Sequence, residues 1–526
     1  MIHLKKTLGM LAATTLLATP VMAEDLTIGL SSEPTAIDPH FHNLGPNNAM
    51  SRHIFGTLIG QNEKQQLNPG LALTWEAIDD LTWEFKLRPG VTFHDGSAFD
   101  ADDVVCSFER APNVPNSPSS FATYTKGKTV VKVDPLTVHI KTATPYPLMA
   151  TDVSTIPIVS DTSGCSATTE EFNAGTAAIG TGPFKFVSYT PGDSIVLEKN
   201  DAYWGDAPIW DNVTFKPIKS GPARVAALLA GDVDMIEGVP TTDIATLEAN
   251  EDLSLSQGVS NRVIYLHLDH DRKDSPFVKA NGGGAIENPL MDARVRLAIS
   301  KSINRDAIVA RVMEGVAIKA GQLLPDGFFG VSPNLEPVEY DPDGAKALLA
   351  EAGVPDGFEL TIHGPNDRYI NDAKIAEAIG QMLTRIGIKT QVETMPRSVY
   401  FKRASRGGPG ETPEFSFVLV GWGAGSGEAS SPLKSLIATH TPDKGWGASN
   451  RGRYSNPEVD ALLTEALATV DDAKRQTLLA TATEVAINDQ AIIPLHYQVN
   501  TWAARKGLSY AARTDEYTLA MGVKKD

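Results

Sequence analysis

The chain has 526 residues and sets 64 acidic side chains against 46 basic ones, a formal net charge of −18. That excess argues against nucleic acid as a partner and speaks mainly to solubility. Only Cys106 and Cys165 are present, too few for a disulfide scaffold and wrongly spaced for a zinc site, which leaves a single bridge or a buried thiol as the two readings.

Lys5 and Lys6 precede an apolar run from Leu8 to Ala18 and the small residues of Val21-Met22-Ala23. This pattern predicts a secretory signal over residues 1–23, cleaved before Glu24, and hence a periplasmic protein. The run is shorter than the roughly 20 residues a bilayer span needs, and no later stretch is long and apolar enough, so the chain is not expected to be membrane-embedded. No cysteine follows the cleavage site, so no lipid anchor is expected.

In chain order, 25–30 reads as a strand, broken by Pro34, Asp38 and Pro39. Apolar spacing predicts a helix over 50–59. Trp75, Trp83, Phe85 and Leu87 sit in strand-like surroundings before the turn Arg88-Pro89-Gly90, and a helix begins near Ala101 with Asp100 or Asp102 as its cap. A loop follows over 112–118, then strands over 130–133 and 137–141. Helices are predicted over 223–230, 293–313, 345–351, 373–386, 457–469 and 473–488, with strands at 358–363, 389–394 and 415–420. The alternation predicts an α/β protein with a mixed, largely parallel sheet.

Several blocks carry a family resemblance: Glu33-Pro34 with Ile37-Asp38-Pro39-His40, the run from Leu87 to Gly96, Asp102-Asp103-Val104, Gly180-Thr181-Gly182-Pro183-Phe184, Asn200 to Gly205, Asp292 to Ile299, and Tyr340 to Leu349. Together they resemble the peptide/nickel-type periplasmic substrate-binding proteins of ABC importers, the solute-binding family 5 that includes dipeptide- and oligopeptide-binding members. The resemblance implies a two-lobed α/β fold with discontinuous lobes. The first lobe would comprise 24–61, 182–266 and 498–526, the inserted subdomain 62–181 and the second lobe 267–497, with hinge closure around the ligand. It implies a small peptide or peptide-like ligand, permease subunits in the inner membrane as partners, no cofactor and no catalysis.

In that family an acidic residue a few positions after a Gly-Trp pair holds the peptide amine. Here Gly421-Trp422 leads into Gly423-Ala424-Gly425-Ser426-Gly427-Glu428, and Gly425 stands at the place of the acid. Glu428 is the nearest carboxylate. Trp422, Gly423, Gly425 and Ser426 are expected at the pocket wall, where glycines allow close backbone approach. Arg368 falls near the position that holds the ligand carboxylate in the dipeptide branch, and a surface arginine is the alternative. Secondary candidates are Asn47 and Asn48, Phe121, Tyr124, Tyr265, His267 and Tyr497, each weighed against plain packing.

Ser426 fails as a nucleophile elbow because Ala424 and Glu428 occupy the required glycine positions. The pairs His40/His42 and His267/His270 are read as exposed polar histidines rather than metal ligands. An opine, a sugar conjugate or a nickel complex is the alternative ligand class.

Overall fold

The computed structural model describes residues 24–526, and the signal expected over residues 1–23 lies outside them. The strand Asp25–Leu30 alternates as its sequence suggests, with Leu26, Ile28 and Leu30 buried. It pairs in parallel with Asn212–Pro217 and Met235–Glu237, and from there a twelve-stranded sheet continues through the molecule.

The expectation of a largely parallel sheet is corrected at the centre. There the long strand Leu253–Leu268 lies antiparallel to both Ile493–Arg505 and Phe417–Gly423. The chain runs out along Leu253–Leu268 and comes back along Ile493–Arg505, so their directions oppose. Within this sheet parallel pairing is confined, among the described residues, to the Asp25–Leu30 strand with its two neighbours and to Glu359–Pro365 with Lys389–Met395 and Phe417–Gly423. The two crossings slip in register where Val259 faces Val499 but Val263 faces Tyr497, and residues 260–262 lie outside the ladder there.

Apolar residues gather on both sides of this sheet. Leu26, Phe184, Leu197, Phe215 and Trp502 form a core in the first lobe. In the second lobe Ile362, Ile375, Ile379 and Leu419 pack on one face, and Val418, Val420, Tyr400 and Leu479 on the other. A separate four-stranded antiparallel sheet, from Ala72–Asp79 to Thr137–Thr142, packs Phe85, Val138 and Ile140 against Val104 and Phe108 of the helix Ala101–Arg110. Asp100 caps that helix and Asp103 bonds back to the Asp100 N–H, a reciprocal box that fixes the start. Cys106 and Cys165 form a disulfide, which decides between the two sequence readings.

Two predicted helices differ. The first runs Gly45–Ile54 and stops before Ile59, which belongs to a short strand. Gly56 there lies so near Thr181 that a Cβ would sit 2.6 Å from its hydroxyl. The helix predicted over 293–313 breaks after Ser302, because Ile303 is extended and the Asn304 side chain caps a new turn by accepting from the Ala307 N–H. Gly180 and Gly182 are required by close approach rather than by a turn alone: a Cβ on Gly180 would sit 2.0 Å from the Ile54 carbonyl oxygen.

Candidate functional site

The strand Phe417–Gly423 carries Trp422 to the slipped part of the crossing, where Gly421, Trp422 and Gly423 pair with Ile264, Val263 and Arg262. Both flanking glycines sit close to neighbours, and at Gly421 something would have to shift to admit a side chain. A Cβ on Gly421 would sit 2.7 Å from Ile264 and 2.8 Å from the Tyr369 ring, and one on Gly423 would sit 3.1 Å from the Arg262 guanidinium. Trp422 is partly buried against the second-lobe core, and its indole N–H has no hydrogen-bond partner among the described residues. The Ser426 hydroxyl is likewise buried and unpartnered. Such donors hold free energy in reserve for an acceptor.

A cavity of ≈ 550 Å³ opens beside Ser426, lined by Gln65, Leu67, Thr151, Phe329 and Arg475. Gln65 spans it at one edge. Its amide N–H₂ donates to the Gly425 carbonyl over 3.1 Å, and its oxygen accepts from Asn261 at 2.8 Å and from Thr514 at 3.2 Å. Gln65 is buried and holds a left-handed φ of 57°, a conformation a non-glycine residue keeps only when its surroundings enforce it.

Beside the register slip, Glu516 accepts from Arg262 Nε at 3.0 Å and Nη2 at 2.7 Å, from Ser260 at 2.6 Å and from Gln498 at 3.1 Å. Burial pushes the carboxyl up, but the Arg262 charge and these donors outweigh it and hold it below its ordinary value. Tyr369 donates its hydroxyl to the Gly421 carbonyl at 3.1 Å, and Arg368 lies 5.1 Å from the Tyr369 ring. Water reaches Arg368, and its guanidinium meets no carboxylate within ion-pair distance among the described residues. Enclosure by the surrounding protein, then the nearby Arg262 charge, lowers its pKa.

Trp422, Gly423, Gly425 and Ser426 thus follow one another at the end of one strand, while Arg368 is exposed in the loop after Glu359–Pro365, beside Tyr369, whose hydroxyl reaches Gly421. Glu428 is a correction. Its carboxylate is buried, accepts from Arg475 at 2.8 Å and from the Ser430 hydroxyl, and is therefore already neutralised rather than free to receive an amine. The secondary candidates are held by packing. Asn47 bonds Thr35 and the Ala36 carbonyl, while the neighbouring Asn48 bonds Asn43. Phe121 is buried in the inserted core and Tyr124 packs on it. Tyr497 donates to the Gln322 and Leu324 carbonyls. Tyr265 and His267 are buried, and His267 accepts from the Gly452 N–H.

The histidines expected to be exposed are also corrected. His40 and His267 are buried, and burial pushes their pKa values down to about 4 and about 3. Gln65, Asn261, Arg262 and Glu516 escaped the sequence reading. Nothing in the polar run 62–66 or in the tail marks them, since their partners lie hundreds of positions away.

Residues 66–441 match the model of the bacterial extracellular solute-binding proteins, family 5 Middle. The chain is 31% identical over 468 residues to the glutathione-binding protein GsiB of Pectobacterium atrosepticum, covering 88% of this chain and 87% of that one. Among solved structures it superposes on HbpA2 from Haemophilus parasuis with a TM-score of 0.81, at 25% identity over 95% of this chain and all of that one. A periplasmic binding protein, DppA, from Helicobacter pylori in complex with the peptide STSA gives a TM-score of 0.75 at 24% identity, over 96% of this chain and 98% of that one.

Proposed function

The chain belongs to the family 5 bacterial extracellular solute-binding proteins, and on that premise we propose that it captures a short peptide or peptide-like acid between its lobes and delivers it to an ABC permease. The observation that carries the ligand reading is Arg368, an exposed guanidinium without an ion pair among the described residues, next to Tyr369, whose hydroxyl meets the Trp422 strand at Gly421. A rigid fork of this kind suits a ligand carboxylate. The indole N–H of Trp422 and the Ser426 hydroxyl supply donors for the carbonyls of a peptide backbone. The glutathione-binding relative supports a ligand of tripeptide size.

The same reading sets the mature chain, from Glu24, in the periplasm after cleavage of residues 1–23. The family's extracellular setting and the Cys106–Cys165 bridge support it. The lobe boundaries inferred from the sequence remain part of this reading, and the register slip between Val259 and Val263 supports a hinge there.

The test is a thermal-shift and calorimetric survey of reduced glutathione and di- to tetrapeptides against the purified protein. A bound ligand at about a hundredfold excess over its Kd stabilises the native state by about 2.7 kcal/mol. If no peptide raises the melting temperature while another solute does, the peptide reading falls. One observation favours a second reading, a non-peptide acid such as an opine: a Cβ at Gly425 would meet nothing within 4 Å, and no carboxylate occupies that space.

A further inference from the structure

The cavity of ≈ 550 Å³ beside Ser426 lies between two separately packed cores. One wall carries Leu67, which packs on the core of the four-stranded sheet, and Thr151 of the helix Met149–Val153. The other carries Phe328, Phe329 and Val331, which pack with the core around Leu479. Its volume falls within the roughly 300–1,000 Å³ that small-molecule sites occupy. Trp422 and Arg368 do not line it, and Ser426 and Gly427 join it to the end of the Trp422 strand.

Both walls are held by backbone contacts. The Ala429 N–H donates to the Phe329 carbonyl at 2.9 Å, and the Gly330 N–H to Gln476 Oε1 at 3.2 Å. Gly330 has a φ of 83°, and a Cβ there would lie 2.9 Å from Ala429 and from Leu479, so this loop is pressed onto the helix Asp472–Asn488. A Cβ on Gly427 would come 3.1 Å from the Gln65 side chain, which closes the seam where the walls meet.

The charges around the space are compensated. Arg475 stacks over the Phe329 ring at 4.1 Å and pairs with Glu428 at 2.8 Å and Asp472 at 3.3 Å. Asp152, next to Thr151, is held by Lys128 at 2.7 Å and by the Tyr146 hydroxyl at 2.6 Å. Lys64, at the rim, is exposed to water. An ionic group entering would lose its water and find Arg475 and Asp152 already engaged, whereas an apolar group would leave water for Leu67, Phe329 and Val331.

We propose that this cavity is a second subsite, which takes an uncharged, largely apolar substituent of the solute whose polar part binds at the end of the Trp422 strand. The solute class is then a peptide-like acid extended by an alkyl or aryl group, through a thioether or an acyl link. The placement of the polar part rests on the peptide reading; the preference of the cavity for uncharged apolar groups stands apart from it.

The experiment uses the full mature protein in two arms. In the first, calorimetry compares glutathione with its S-methyl, S-butyl and S-hexyl thioethers. Affinity should rise by up to about fourfold per methylene buried, so that the S-hexyl form binds about tenfold or more tighter than the S-methyl form. Leu67→Asp and Val331→Asp, one on each wall and both at partly buried positions, should each remove that gain and leave the Kd of unsubstituted glutathione within about threefold. In the second arm, saturation-transfer NMR presents free phenylbutanol, phenylbutyrate and phenylbutylamine. Transfer should be strongest to phenylbutanol and should fall in both variants. If no form of glutathione binds, the peptide reading falls, and the phenylbutanol arm alone decides this proposal. Transfer to phenylbutanol that is absent or indifferent to both substitutions overturns it, as does equal transfer to the charged probes. Where glutathione binds, equal affinity along the thioether series, or a gain that survives both substitutions, overturns it as well.

Discussion

Gln65 donates to the Gly425 carbonyl over 3.1 Å, and the two residues, 360 positions apart, belong to opposite walls of the cleft. The same amide accepts from Asn261 on the crossing strand and from Thr514 in the C-terminal segment. One side chain therefore ties together four pieces of chain, and on the proposed lobe boundaries its bond to Gly425 is the one that crosses the cleft.

Replacing it tests that tie. Gln65→Ala keeps a non-glycine residue at the left-handed position but removes the interlobe bond, worth about 0.5–1.5 kcal/mol. The ligand-free protein should populate a more open form, with a larger radius of gyration by small-angle scattering and ligand dissociation up to about tenfold faster. An unchanged radius together with an unchanged off-rate would show that the contact does not help hold the cleft shut.

The hinge carboxylate should show in the acid range. Because Glu516 is held below its ordinary value, its stabilising contribution is fully present above that value, near 4.5, and is lost as pH falls through the lower folded value. Glu516→Gln leaves Arg262 buried without its counter-charge and should cost about 3 kcal/mol at neutral pH. Urea titrations of the two proteins should converge as pH drops below about 4.5. A constant gap from pH 7 to pH 3.5 would refute this assignment.

Buried histidines make a second, higher window. Burial holds His40, His53, His94 and His496 at about 4 and His267 at about 3. Each is neutral in the fold and charges more readily once unfolded, so its contribution is complete above the ordinary value of 6.5 and declines as pH falls from there toward 4. The melting temperature should therefore drop steadily between pH 6.5 and 4.5. His496→Gln, which removes one such group, should flatten that slope; an identical slope in the variant would count against the argument.

Reduction of Cys106–Cys165 releases a loop whose ends lie 59 positions apart, for which chain entropy predicts a loss of about 4 kcal/mol. Denaturant titration with and without reductant measures it, with the paired serine variant as a control. A loss below about 1 kcal/mol would mean the reduced chain keeps these ends together through the surrounding core.

Local chemistry was readable in the sequence, and distant pairing was not. The Asp100 cap, the strand around Trp83 and Phe85 and the helix at 373–386 follow from short-range rules. The break at Asn304 was missed because apolar spacing continues across it, while a side-chain cap decides the matter locally. At the site, the composition of the Gly-rich loop singled out Trp422 and Gly425, which lie at the end of the strand Phe417–Gly423 and in the turn after it. Glu428 misled because the residue that consumes its charge, Arg475, lies 47 positions later on the helix Asp472–Asn488. Gln65 and Glu516 had no local signature, since their roles exist only once the fold has assembled their partners.

The slip between Val259 and Val263 lies beside the residue that Trp422 faces, Val263, and on the proposed reading it is where the lobes turn. Points near an axle travel least when a gate swings. The indole and its neighbours thus keep nearly the same station relative to the opposite wall whether the gate stands ajar or shut, while the far rim sweeps the longest arc. Capture then has a built-in order: a solute alights next to the axle first, and enclosure follows as a separate event whose speed is set by the swing rather than by the first encounter.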